Sequence, residues 1–308
     1  MKYKLALVLW VFLVCTLFAQ EKAYKVVAEP GDGIYSILRK QGLDPVKHYQ
    51  EFVELNQENI KDGSFLHVGR EYYIPYAAES FKNVGVRVFL ASDTEEPVFE
   101  KELRKLSRKS DALKDVVYYL ITENGEKASS SFAKEVELNL AKTLLENGAH
   151  VFVLEQKGFE YSNKEQEGIE LMGAYVEAVN KRYLKHFGKY QRLLIIRANG
   201  QIKGKIDVSV YHHKKSDEGK RLAKNLREVF QKNSVKNRSY KSIEAIINDD
   251  NTLYLAKNVL PAVSLLDIDG TSAQSKNKGI EVVSNKAILA QWLANGILKD
   301  YADLKIEE

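Results

Sequence analysis

At 308 residues the chain is long enough for two domains, and a hydrophobic content of 44% allows a packed core through most of its length. A formal net charge of +4, with 29% of residues charged, is too small an excess for a general nucleic-acid surface, and no nucleic-acid motif accompanies it. Cys15 is the one cysteine, so the chain beyond it holds no disulfide framework and no thiolate metal site.

In chain order, Lys2 and Lys4 precede an uncharged apolar run from Leu5 to Phe18, and Ala19 then leads into polar sequence at Gln20. This layout predicts a secretory signal over residues 1–19, a chain exported to the periplasm or cell envelope, and no membrane span in the mature protein. Leu17 stands where a small residue usually precedes the cleavage site, so the exact cleavage point stays open and an uncleaved anchor is the rival reading. Val14, a bulky residue before Cys15, argues against lipid attachment there.

Residues 20–77 read as one small unit. Tyr24 to Val27 has strand character, Pro30-Gly31-Asp32-Gly33 is a turn, and Ile34, Ile37 and Leu38 recur at helical spacing. A second helix starts near Pro45, carries Phe52, Val53 and Leu55, and ends at Asn56. Gly69 precedes a short strand, Tyr72 to Ile74, closed by Pro75. The run Val27 to Asp32, then Ile34 to Ile37, Leu55-Asn56, Val68-Gly69 and Tyr73-Ile74-Pro75 together resemble a LysM domain, with Gly33 where Thr is usual. The resemblance implies a βααβ fold and binding of the N-acetylglucosamine-containing strands of peptidoglycan or chitin. It places the groove at Gly31, Asp32, Gly33 and Ile34 and at about Asn56 to Ile60. The same turn residues also have a purely structural use, and the two uses are compatible.

Residues 78–115 read as a connecting segment with one possible strand, Val86 to Leu90. Its later part is rich in cations, namely Lys101, Arg104, Lys105, Arg108, Lys109 and Lys114, which predicts a solvated face or, less simply, a patch for acidic envelope polymers.

From residue 116 to 308 the pattern alternates. Strands are predicted at 116–121, 151–154, 193–196, 206–211, 253–256 and 262–266. Helices are predicted at 132–147, 169–187, 216–230 and 285–301. Apolar strands between helices predict an α/β fold with a mostly parallel central sheet covered on both faces. Glu135 to Ala141 followed by Gly148-Ala149-His150-Val151 carries a resemblance to the zinc-dependent N-acetylmuramoyl-L-alanine amidases. Leu194 to Asn199, Val208 to His212, Leu260-Pro261-Ala262-Val263 and Gln291 to Ile297 extend it.

In that family two histidines and a glutamate hold zinc, and a further glutamate acts as general base on the metal-bound water, whose pKa the metal lowers to about 7. The resemblance places Asn124 and Arg197 where the histidines belong, Glu135 at the ligand glutamate, and Leu266 at the catalytic glutamate, with Asp267 one step on. A guanidinium has no lone pair to donate and Leu266 cannot carry a proton. The residues therefore imply no catalytic centre, no metal and no cofactor, with Arg197 paired to a carboxylate, Glu135 before Glu123 or Glu126. His212 and His213, adjacent on a strand, point to opposite faces. His150 starts a strand away from the expected pocket. No phosphate loop and no serine nucleophile motif is present. The expected function is peptidoglycan binding with an inactive amidase-like domain in recognition or regulation at the cell wall. An active amidase with divergent zinc ligands, and an envelope scaffold that docks another envelope protein, remain as alternatives.

Overall fold

The computed structural model describes residues 24–60, 65–99, 106–123, 127–156, 164–235, 245–270 and 279–307. Residues 1–19, where a signal is expected, Lys101 to Lys105, Asn124 and Glu126 fall outside these. The chain divides into two compact units, Met1–Ser80 and Phe81–Glu308.

In the first unit, β1 (Tyr24–Val27) pairs antiparallel with β2 (Glu71–Ile74), and α1 (Ile34–Lys40) and α2 (Pro45–Leu55) lie between them in sequence. Asp44 caps α2 by accepting the Val46 N–H, and Pro45 occupies the first helical position, where its missing N–H costs nothing. Ile34, Ile37 and Leu38 from α1, Phe52 from α2, and Tyr72 and Ile74 from β2 form the core. The spacing of these residues is helical in the middle and alternating at β2, so one small core satisfies both periods.

The second unit is a mixed eight-stranded sheet in the order β10-β8-β9-β7-β5-β6-β3-β4. Its strands are β3 (Gly85–Phe89), β4 (Thr94–Pro97), β5 (Val116–Thr122), β6 (His150–Glu155), β7 (Tyr190–Asn199), β8 (Lys205–His212), β9 (Ala262–Gly270) and β10 (Ile280–Val283). The central neighbours β3, β6, β5, β7 and β9 are mutually parallel, while β4 and β8 run against them. The helices are α3 (Phe81–Val84), α4 (Lys127–Glu146), α5 (Lys164–Lys185), α6 (Asp217–Lys232), α7 (Asp250–Asn258) and α8 (Lys286–Glu307). Alternation sorts the side chains. Leu194, Ile196, Leu266 and Ile268 face a core shared with α4, α6 and α8, and Leu193, Ile195, Val263 and Leu265 face a core shared with α5 and α7. Gly148 ends the α4 turn with φ +96°, a conformation that favours glycine.

Two expectations change, and one strand is new. Residues 85–89 and 94–97 are strands of the main sheet rather than parts of a connector, because Gly85 to Phe89 lies in parallel register with Val151 to Glu155. Leu253 to Ala256 belongs to a helix, α7, whose N-cap Asp249 accepts the Thr252 N–H. Its apolar run read as a strand, and the cap in front of it decides otherwise. β10 had no separate sequence signal beyond Ile280, Val282 and Val283, and it forms by pairing with β8. Among the described residues, no helix is long and apolar enough to cross a membrane.

Candidate functional site

β5 and β7 are parallel neighbours whose onward connections part. The chain leaves β5 toward β6 on one side and leaves β7 toward β8 on the other. Open α/β sheets place ligand crevices outside the carboxyl ends of such strands. Glu123 follows β5 there, Arg197 lies near the end of β7, Asp267 and Asp269 lie near the end of β9, and the N-terminus of α7 brings Asp249 and Thr252.

Arg197 is the hub. Its Nε donates to Glu123 Oε2 at 2.5 Å and its Nη2 to Glu123 Oε1 at 3.0 Å, a two-pronged pairing that suits the planar guanidinium. The same Nη2 reaches Asp249 Oδ1 at 3.2 Å and Thr252 Oγ1 at 3.0 Å. Burial works against the charge on Arg197, but the hydrogen bonds and charge of Glu123, with Asp249 and Asp267 beyond, push its pKa further up. Burial would raise the Asp249 carboxyl, yet hydrogen bonds from Thr252 and the charge of Arg197 hold it below the usual range. One carboxylate thus caps a helix and pins it to a strand end.

Asp267 lies opposite Arg197 in the parallel register. It is buried, and its polar contact is a neutral amide: Asn199 Nδ2 donates to Asp267 Oδ1 at 3.0 Å and to Asp269 Oδ1 at 3.1 Å. Burial first, then the charge of Asp269, pushes the Asp267 carboxyl up to about 6, with Arg197 opposing. On the adjacent strand Ser209 stands opposite Asp267, and Tyr211, two residues on, shares that face. The crevice therefore holds one acid whose pKa burial raises beside a cation already committed to two other carboxylates.

No family model matches the chain, and no curated protein matches it. Solved structures do. The catalytic domain of an endolysin targeting Clostridia difficile is 16% identical, with 60% of this chain and 96% of that one covered at a TM-score of 0.40. An N-acetylmuramoyl-L-alanine amidase of Nostoc punctiforme is 14% identical, covering 62% and 98% at 0.36. An N-acetylmuramyl-L-alanine amidase from Mycobacterium smegmatis is 11% identical, covering 63% and 100% at 0.41. Function is therefore read from the side chains.

The sequence-derived residues do not all meet. Glu135 is exposed on α4 and pairs with Lys286, so the expected Arg197–Glu135 pair is replaced by Arg197–Glu123. Leu266 is wholly buried in the core shared with α4, α6 and α8, on the opposite face from Arg197. Asp267 faces the crevice without any strand slip. His212 is buried, with Nδ1 against the His213 carbonyl at 3.0 Å. His150 stacks on Phe152 and meets His186 at the start of β6, and burial holds its pKa down to about 3. Among the described residues, no three His, Cys, Asp or Glu side chains converge as a metal cluster.

In the first unit, Ile34 and Ile60 are core residues. Asn56 is buried and used twice over: Nδ2 donates to the carbonyls of Phe52 and Tyr73, and Oδ1 accepts the Tyr73 N–H at 2.7 Å. Asp32 accepts from the Glu29 N–H, Ser36 Oγ and Lys40 Nζ, and these contacts outweigh its burial to hold its pKa low. Gly31 is exposed, with φ +88°, and Gly33 is half-buried. A ligand at this turn would meet backbone rather than the side chains of Asp32 or Asn56.

Asp249, Thr252 and Asn199 were missed by sequence reasoning. Asp249 and Thr252 sat ahead of a run taken for a strand, although Asp249 followed by Asp250 is a helix N-terminal signal. Asn199 closed the Leu194 to Asn199 stretch of the resemblance, which gave it no role.

Proposed function

We propose that this is an exported peptidoglycan-binding protein whose first unit, LysM-like in its motifs, holds glycan. Its α/β unit keeps an amidase-like layout for recognition or regulation at the cell wall, without zinc hydrolysis. The observation that carries this reading is the Arg197 clamp. Where the resemblance calls for a lone-pair donor, the chain presents N–H groups bound to Glu123, Asp249 and Thr252. A zinc ion does not fit beside that guanidinium, and Glu135, the retained ligand of the motif, is engaged by Lys286. The chemistry left to the crevice is hydrogen bonding and proton exchange at Asp267.

A second reading, an amidase with divergent ligands, draws on Asp267 itself, a carboxyl with a pKa of about 6 aimed at the crevice. One experiment separates the two. Purified full-length protein is analysed for bound metal and incubated with peptidoglycan. No stoichiometric zinc and no released stem peptide is the expected result. Tightly bound zinc together with amide cleavage would overturn the first reading in favour of the second.

A further inference from the structure

Far from the crevice, at the amino ends of the parallel strands, the second unit carries an exposed apolar cluster. α5 ends just before β7 and α7 just before β9, and β7 and β9 are paired in register, Arg192 opposite Ala262. The two helix ends are tied together. Asn180 Nδ2 donates to the Asn258 carbonyl at 3.0 Å, and its Oδ1 accepts the Leu260 N–H at 2.8 Å. Leu184, one turn after Asn180, is 63% exposed, Leu260 is 52% exposed, and Phe187 is 80% exposed. Large apolar side chains left open together on one edge are not needed by either core.

Cations share this end of the sheet, with the exposed Asp217 among them. Lys185 and Lys257 lie in the last turns of α5 and α7 and are exposed, and Lys214 and Lys215 are exposed just after β8, at the same edge. Among the described residues none of these four has a carboxylate partner. Lys189 and Lys181 are also there, paired with Asp115 and Asp93, and Glu218 is turned to Arg192. Complementing a helix C-terminus explains a lysine in the last turn. It does not explain Leu184, Phe187 and Leu260 standing open between them.

We propose that this edge docks on the surface of a membrane carrying anionic phospholipid, with Phe187, Leu184 and Leu260 dipping into the headgroup and acyl boundary and the lysines meeting the phosphates. An acidic polymer would satisfy the lysines alone and leaves the three apolar side chains without a use. The inference is independent of the glycan-binding reading.

The test uses the full chain, because the apolar run near its N-terminus is then common to every variant. Amide hydrogen exchange is measured with vesicles of equimolar phosphatidylglycerol and phosphatidylcholine, and with phosphatidylcholine alone. Slowed exchange at residues 184–189 and 257–260 is expected with the anionic vesicles only. The protection should fade as salt rises from about 50 mM to about 500 mM, where charges are screened within a few ångströms. Lys185→Glu with Lys257→Glu should weaken the protection about tenfold or more, and Phe187→Ser, at a site too exposed to affect folding, should abolish it. Unchanged exchange at these segments, equal protection by neutral vesicles, or protection that persists in Phe187→Ser would overturn the proposal. So would protection without vesicles that grows with protein concentration, which would mark the edge as a contact between copies of this chain.

Discussion

Arg197 and Asp267 stand opposite each other, and each makes sense only through the other's neighbours. Arg197 is half-buried with both edges of Glu123 bound to it. Arg197→Ala leaves Glu123 and Asp249 facing each other across the crevice without their cation, and a loss of about 2 kcal/mol is expected, measured by urea denaturation. Arg197→Lys should recover only part of it, because an ammonium cannot hold both Glu123 oxygens in the fork geometry. Glu135→Gln should change stability by less than about 1 kcal/mol, since Glu135 is exposed and its partner Lys286 is partly so. A larger cost would mean that Glu135 does more than hold a surface ion pair. Asp267 has the opposite sign. Its folded pKa is raised from 3.8 to about 6, so between those values the folded state binds more protons than the unfolded state. Stability therefore falls as pH rises from about 4 to about 6, by up to about 3 kcal/mol for that shift. Asp267→Asn keeps an acceptor for Asn199 and removes the buried charge. It should raise the denaturation midpoint at pH about 7 and leave it nearly unchanged at pH about 4. A variant no more stable at neutral pH would show that Asp267 ionises without cost.

The α7 helix is the element on which the crevice depends. It is nine residues long, too short to be stable alone, and holds its place through Leu255 and Val259 in the core and through its cap. Asp249 Oδ1 accepts both the Thr252 N–H and Arg197 Nη2. Asp249→Ala should cost about 1–2 kcal/mol and speed amide exchange over residues 250–258. Combined with Arg197→Ala it should cost less than the sum, by about 0.5–1 kcal/mol, because the two share one bond. Strict additivity would mean that the cap and the clamp act separately. β9 has a similar constraint at its upper end, where a Cβ on Gly270 would lie 2.2 Å from the Gln201 carbonyl oxygen, so only glycine lets the β7–β8 loop pass.

At the scale of the whole chain, the two units divide the work proposed for them. Residues 20–77, expressed alone, should sediment with purified peptidoglycan. If that fragment stays in solution while the full chain pellets, the glycan-binding role belongs elsewhere. Small units of this size have little core to spare, and the first unit compensates with polar ties: Asn56 to the β2 backbone, Asp32 to Lys40, and Tyr72 OH accepting the His67 N–H at 2.7 Å. Asn56→Ala would strand the Tyr73 N–H and two carbonyls, so it tests stability and not glycan contact.

Much of this was legible in the chain because periodicity is local. Ile34, Ile37 and Leu38, the β-branched run of β5, and the Ser216 cap of α6 each declare their element within one or two turns. The layered α/β class follows from their alternation. Strand faces and pair partners are not local. Whether residue 266 or 267 meets Arg197 depends on which side of β9 packs on α4, α6 and α8, and counting along a motif cannot supply it. Leu266 went to that core because an apolar side chain gains by burial there, and the alternation of the strand then turned Asp267 toward the crevice. The partner of Arg197 was likewise chosen by distance. Glu135 sits on a helix surface within reach of Lys286, while Glu123 follows the strand next to Arg197. Long-range pairing of β5, β7 and β9 brings those ends together, and residues 123, 197, 249 and 267 become neighbours only once the sheet has formed.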